Sequence, residues 1–224
     1  MTESKIFVII YLEIKVGENM FGSILAGFCI GIACIFYILA PNPLIGALLF
    51  GLGLMNIRLM QYKLFTGKVQ RVLDPEFCDG GIFQTFTGIT GLLLMFILNF
   101  IGIAAAFALG AWIPGVIEGA TAIATSKLAL DGVRLFAQSI LCGYLMTIAT
   151  RPSTPLWMTP LCVFAFVYLG LNHCVADSFY YLTGITEALP NLGITIAGNF
   201  FGGLAGALKP PAPDPALPTQ SDTH

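Results

Sequence analysis

The run Ala165–Thr183, AFVYLGLNHCVADSFYYLT, is apolar enough to enter a bilayer, yet it carries Asn172, His173 and Asp177 in its middle. An ionisable acid at that depth costs about 2.5–3.5 kcal/mol on insertion scales, so it normally faces a cavity or a partner. Imidazole has an unperturbed pKa of about 6.5, close enough to neutrality for modest surroundings to move its charge. The triplet therefore suits proton handling along a polar path, and the plain alternative is a histidine hydrogen-bonded between packed helices. Little other chemistry is written in the chain. It has no Cys/His/carboxylate cluster at metal-ligand spacing, no Gly-x-Ser-x-Gly and no nucleotide loop, which argues against an enzyme and implies no cofactor and no metal.

The elements that must position these residues are membrane spans. Of 224 residues, 57% are hydrophobic and only 10% charged, and the mean hydropathy is +0.86. A soluble domain of this length could not hide so much apolar surface. The net charge of −2 and the scattered basic residues suggest no nucleic-acid surface. Cys29, Cys34, Cys142, Cys162 and Cys174 lie inside apolar runs and Cys78 in a loop, so neither a disulfide framework nor a C-x-x-C metal site is expected. The start of the chain has Glu3, Glu13 and Glu18 among its apolar residues and does not read as a cleaved signal.

Six spanning segments follow from length and hydropathy: Phe21–Ala40, Leu44–Phe65, Ile82–Ile113, Lys127–Thr150, Pro155–Leu182 and Leu189–Leu208. Pro114–Ser126 is expected to connect the third to the fourth. Residues 1–20 read as a cytoplasmic N-terminal segment, 21–208 as the membrane domain, and the Pro-rich 209–224 as a disordered cytoplasmic tail. With the N-terminus inside, Lys5, Lys15, Lys63, Lys68, Arg71, Arg151 and Lys209 collect on the cytoplasmic side. Both termini are then cytoplasmic, in the inner (plasma) membrane of the cell, and Lys127 is left as the one cation at the outer mouth.

Asn99-Phe100-Ile101-Gly102 in the third segment recurs as Asn199-Phe200-Phe201-Gly202 in the sixth. Three helices per half is an odd number, so the second half must be inverted in the membrane. Ahead of each copy a helix is interrupted by polar residues, at Leu64-Phe65-Thr66-Gly67 and at His173-Cys174-Val175-Ala176-Asp177. Interrupted helices at corresponding positions point to a transport site. Asn99 and Asn199 read as helix-break architecture around a pore, with Asp177 beside the second break, and not as ligands of a substrate.

Taken together these residues resemble the formate/nitrite transporter family over roughly Phe21–Leu208. The resemblance is carried by Leu25-Ala26-Gly27, Leu64-Phe65-Thr66-Gly67, Asn99-x-x-Gly102, Ile140-Leu141-Cys142, His173-x-Val175-Ala176 and Gly198-Asn199-x-x-Gly202-Gly203, in that order. It implies an aquaporin-like six-helix protomer with helices two and five broken, a homopentamer, and one anion path per protomer. His173 then corresponds to the family's central His, Thr66 to the Thr of the second-helix break, and Lys127 to the Lys of the outer vestibule. The family's apolar constrictions map onto Phe50 and Phe166 on the outer side, Leu54 near the centre, and Leu64 and Phe65 on the inner side. The chain also departs from the pattern. Asn172 stands where the family usually has Glu, Asp177 where it has Asn, Gly143 where Asn follows Cys, and Lys63 where an acid precedes Leu-Phe-Thr. Lys68 follows the Gly of that motif. Arg58, Arg134, Asp131 and Asp177 are expected to pair with one another or across protomers, since unpaired they would be costly.

The function expected is a channel or proton-coupled transporter for a small monovalent anion, formate first, with nitrite or hydrosulfide as alternatives. A diverged, non-conducting receptor or scaffold is the reading from a different class. A carboxylate-sized ion stripped of water costs several kcal/mol in a narrow apolar path. Two remedies exist: a cation that draws it in, which suits Lys127, and a proton that neutralises it, which suits His173. Thr66, facing His173, would hold the substrate oxygen, with Asn172 beside it on the path. The proton's source, His173 or water, is left open by the sequence.

Overall fold

In the computed structural model, residues 3–72 and 89–208 are described. Helix α1 (Glu3–Leu39) takes in the first expected span together with the residues before it. Asn42 then starts α2 (Pro43–Leu59): its Oδ1 accepts the Ile45 N–H at 3.0 Å, and Pro43 fills the first turn, where an N–H would have no helical partner. The second expected span ran on to Phe65, but the helix stops at Leu59, and the chain regains helical turns only at Phe65–Gly67 and Val69–Val72. The third is α3 (Ile89–Gly110), shorter than Ile82–Ile113; residues 82–88 lie outside the described residues. So do Cys78, Lys209 and the tail.

Pro114–Ser126, expected as a connector, is mostly helix: α4 (Val116–Leu128) includes it and carries Lys127 in its last turn. The fourth apolar helix, α5 (Gly132–Thr150), therefore starts five residues later than expected, capped by Asp131, whose Oδ1 accepts the Arg134 N–H at 2.9 Å. That amide, with the Arg134 guanidinium beside it, holds the exposed Asp131 carboxyl below the ordinary carboxylate range. The fifth expected span divides into α6 (Met158–Tyr168) and α7 (Cys174–Tyr181), and the sixth is α8 (Ile185–Ala207). Among the described residues, three helical stretches are long and apolar enough to cross a membrane: Gly17–Leu39, Thr90–Gly110 and Gly132–Thr150. At 1.5 Å per residue, α2 is about 25 Å long and α6 about 16 Å. Each falls short of a hydrocarbon core of about 30 Å, so the chain after each break must supply the rest of any crossing.

The two breaks are built alike. α2 ends with the Tyr62 N–H on the Ile57 carbonyl and the Gln61 N–H on the Arg58 carbonyl; α6 ends with the Leu171 N–H on Phe166 and the Gly170 N–H on Val167. This is the Schellman closure, which needs a left-handed residue just past the helix. Gln61 (φ 56°) and Gly170 (φ 68°) occupy that position, each two residues ahead of a polar, extended stretch. Helix pairing repeats as well, α1 packing along α3 as α5 packs along α8, while α7 sits among α1, α3, α4 and α8. Close approach requires glycine at Gly27 and Gly143, where a Cβ would collide with the backbones of Asn99 and Asn199. Any side chain at position 143 would meet that backbone.

The charged residues expected to pair among themselves do so only in part. Arg134 lies 3.9 Å from Asp131 on the surface. Arg58 instead grips neutral oxygens between the end of α5 and the start of α6: the Ala149 carbonyl at 3.0 Å, Thr159 Oγ1 at 2.6 Å, the Thr154 carbonyl at 3.0 Å and the Arg151 carbonyl at 3.3 Å. A planar guanidinium matches that cluster because carbonyls at a helix C-terminus lack helical donors and carry partial negative charge.

Candidate functional site

The breaks are held open by two buried asparagines. Asn99 Oδ1 accepts the Phe65 N–H at 2.8 Å, and its Nδ2 donates to the Ser23 carbonyl at 2.7 Å and the Lys63 carbonyl at 2.9 Å. Asn199 does the same for the second break: Oδ1 to the Cys174 N–H at 2.8 Å, Nδ2 to the Ser139 carbonyl at 2.8 Å and the Asn172 carbonyl at 2.9 Å. Backbone groups released by the end of a helix find partners this way without water, as an apolar surrounding demands. By this matching Leu64 and His173 occupy the same place in the two breaks.

His173 faces across from one break to the other. Its Nδ1 accepts the Ala176 N–H at 3.1 Å, capping α7, and its Nε2 lies 2.8 Å from Thr66 Oγ1. An Nδ1 that accepts carries no hydrogen in the neutral ring, so the proton sits on Nε2 and is donated to Thr66. The ring stacks on Phe166 at 5.5 Å, and Phe166 meets Phe50 edge to face at 6.2 Å. His173 and Thr66 are both buried.

Two cavities flank this contact. One, of about 210 Å³, is walled by Phe50, Phe166, His173, Lys127, Asp177 and Tyr180, among others. The second, of about 290 Å³, is walled by Arg58, Lys63, Leu64, Lys68 and Thr150, among others. Helix α2 reaches both: Phe50 faces the first, Arg58 the second, and Leu54 lies one turn from each. Leu54, Phe65 and Thr66 are buried and line neither cavity. Of the residues expected to form constrictions, Phe166 and behind it Phe50 stand beside His173, Leu64 and Phe65 directly precede Thr66, and Leu54 is buried in the same core.

Lys127 is paired. It is no isolated cation: Nζ lies 3.0 Å from Asp177 Oδ1 and donates to Asn172 Oδ1 at 2.9 Å, with only 13% of the Lys127 side chain and 2% of the Asp177 side chain exposed. Asp177, expected as break architecture, stands in the first turn of α7 and is also the counter-charge in the cavity wall. Its Oδ2 is buried without a hydrogen-bond partner. Asn172 completes the cluster by donating from Nδ2 to Gln138 Oε1 at 2.7 Å. Gln138, Ile123 and Ser126 escaped the sequence reading. The last two could have been found once 116–128 was taken as a helix, since Ile123 and Lys127 are four residues apart on one face.

A family model described as formate/nitrite transporter matches residues 11–208. The chain belongs to the formate/nitrite transporter family. Within that family it is similar to a solved structure of a pentameric formate channel with formate bound, at 21% identity and TM-score 0.64, covering 86% of this chain and 92% of that one. It is also similar to a solved structure of an FNT family ion channel, at 18% identity and TM-score 0.62, covering 85% of each. No curated protein sequence matches the chain. At these identities the two structures speak for the fold alone. Among the described residues no group of His, Cys, Asp and Glu is placed to hold a metal ion, and Cys29, Cys34, Cys142, Cys162 and Cys174 are free thiols.

Proposed function

We propose that the protein is a membrane channel that passes a small monovalent anion together with a proton, formate being the first candidate and nitrite or hydrosulfide the alternatives. The observation that carries this reading is the buried His173–Thr66 contact, with His173 in the wall of one cavity beside Phe50 and Phe166, and Leu64 and Gly67, which bracket Thr66 in the chain, in the wall of the other. An apolar waist admits a neutral species far more readily than an ion, because desolvating an ion costs several kcal/mol. Arg58, held by neutral oxygens beside the second cavity, would raise the local anion concentration there, and Lys127 in the wall of the first would offer its ammonium as a donor. His173 and Thr66 would then hand a substrate oxygen through the centre.

The matched breaks and matched asparagines support six crossings in two inverted three-helix repeats, with residues 21–208 as the membrane domain between a cytoplasmic segment 1–20 and a cytoplasmic tail 209–224 in the inner membrane. Likeness to a pentameric channel supports five copies to a ring, each with its own path. Purified protein in liposomes containing a pH dye should acidify the lumen on addition of formate, faster as external pH falls towards about 6, over empty liposomes. Nitrate and chloride, which no accessible proton neutralises, should move slowly at every pH. Absence of flux for formate, nitrite and hydrosulfide from a folded assembly would leave the receptor or scaffold reading in its place.

A further inference from the structure

Resting on that reading of the site, we infer that Asp177 is the group that takes up the proton when an anion binds Lys127. An ammonium has three donors; Asp177 Oδ1 and Asn172 Oδ1 engage two, and the third is left for a ligand in the cavity that Lys127 and Asp177 both line. An anion accepting it enters beside a carboxylate that already neutralises the same cation, and two negative charges at that range repel. Asp177 Oδ2, buried and without a partner, is the atom where a proton resolves the conflict. The proton from water adds to Oδ2, the anion takes the freed charge of Lys127, and the pair that enters is neutral overall. Passing that proton from Oδ2 to the anion then makes the neutral acid and restores the Lys127–Asp177 pair.

Among the described residues the ionisable groups that face Asp177 are few; Tyr37 on α1 lines the same cavity, and Glu118 on α4 is exposed. Lys127 comes from α4, His173 precedes α7, and Cys34 and Cys142 face it from α1 and α5. Cys174, Tyr180 and Tyr181 lie on its own helix. Helix α3 has no ionisable side chain, and Glu187 on α8 is exposed. No second carboxylate among these could take the role. Lys127 touches both the Asp177 carboxylate and the Asn172 amide oxygen.

Nitrate separates the protein's proton from the substrate's, because nitrate itself does not protonate. The purified full-length protein in detergent is titrated with nitrate across the acid-to-neutral range, reading the rise in its unfolding midpoint. One coupled proton predicts that nitrate binding tightens by up to about tenfold per unit fall in pH. D177N should bind nitrate about tenfold or more tightly at neutral pH and lose the pH dependence. The exchange variant N172D/D177N, which returns an acid to Lys127, should regain it. Infrared difference spectra of the wild type should show a protonated-carboxyl band on nitrate addition at low pH that D177N lacks. Nitrate binding that is absent or flat with pH in the wild type, or that keeps its slope in D177N, overturns the assignment. Because none of these readouts needs flux, they stand apart from the liposome test of transport.

Discussion

Asn99 and Asn199 make the same three hydrogen bonds, each accepting one amide from beyond a helix break and donating to two carbonyls, one before the break and one on the neighbouring helix. Interhelical bonds in membranes are worth about 0.6–1.7 kcal/mol each. Asn99→Ala or Asn199→Ala should therefore cost about 2–5 kcal/mol, read as a lower unfolding midpoint in detergent. Asn→Asp should be worse than its near-identical shape suggests, because a carboxylate cannot donate to the two carbonyls. A harmless Asn→Asp at either position would mean that those donors are not engaged.

Gly143→Ala places a methyl group against the Asn199 backbone, where neither side chain nor rotamer can yield. Overpacking of this kind typically costs about 1–3 kcal/mol or more. The expected result is a loss of folded protein on size-exclusion chromatography. Gly193→Ala on α8 is the matched control: nothing lies within 4 Å of its added Cβ, and Ala in a helix interior should stabilise by about 0.5–1 kcal/mol.

Much of this architecture was legible because it is written in residue types with narrow uses. Buried Asn at matched positions, followed three residues later by Gly, marks a held break beside a close helix contact; the polar run at His173 marks the break itself. The helix Val116–Leu128 was not legible. Pro114 and Gly115 precede it and its composition is only weakly apolar, so a hydropathy reading gives a connector. The pairing of Lys127 with Asp177, fifty residues on, was not legible either, and Asp177 was read as architecture beside the second break. Pairings between distant elements leave no local pattern, and the grip of Arg58 on the end of α5 escaped for the same reason.

Lys127 and Asp177 should behave as a coupled pair in stability. Removing one partner of a buried ion pair leaves an uncompensated charge, which typically costs about 3–5 kcal/mol. Lys127→Gln alone should cost on that order, and Lys127→Gln with Asp177→Asn much less, in a double-mutant cycle of unfolding midpoints. Additive losses would mean that the two charges do not interact. A Lys127 acting only as a lone, solvated cation would instead leave stability unchanged on substitution.

The two Schellman closures predict opposite responses to opposite substitutions. Gln61 holds φ 56° with a side chain that disfavours it, and Gly170 holds φ 68° without one. The left-handed conformation costs an L-residue roughly 1–2 kcal/mol. Gln61→Gly should raise the unfolding midpoint and Gly170→Ala should lower it, although a Cβ at Gly170 would meet nothing within 4 Å. A neutral Gly170→Ala would show that the break relaxes.

His173 joins the two breaks, so its substitutions separate fold from passage. Solid-state NMR of ¹⁵N-histidine-labelled protein should find Nδ1 unprotonated and Nε2 carrying hydrogen, as the Ala176 cap and the Thr66 contact require. His173→Asn keeps an acceptor for the Ala176 N–H, since asparagine is among the best helix N-caps, and should leave stability within about 1 kcal/mol. It is too short to replace Nε2 at Thr66. His173→Leu copies Leu64, its counterpart in the other break, and loses both functions. Formate flux in liposomes should therefore fall strongly in His173→Asn with assembly and melting near wild type, while His173→Leu loses stability as well. Thr66→Val should reproduce the flux loss, because it removes the other half of the same contact. If His173→Asn carries formate at the wild-type rate with the wild-type pH profile, the contact at the waist plays no part in passage and His173 serves only to cap α7.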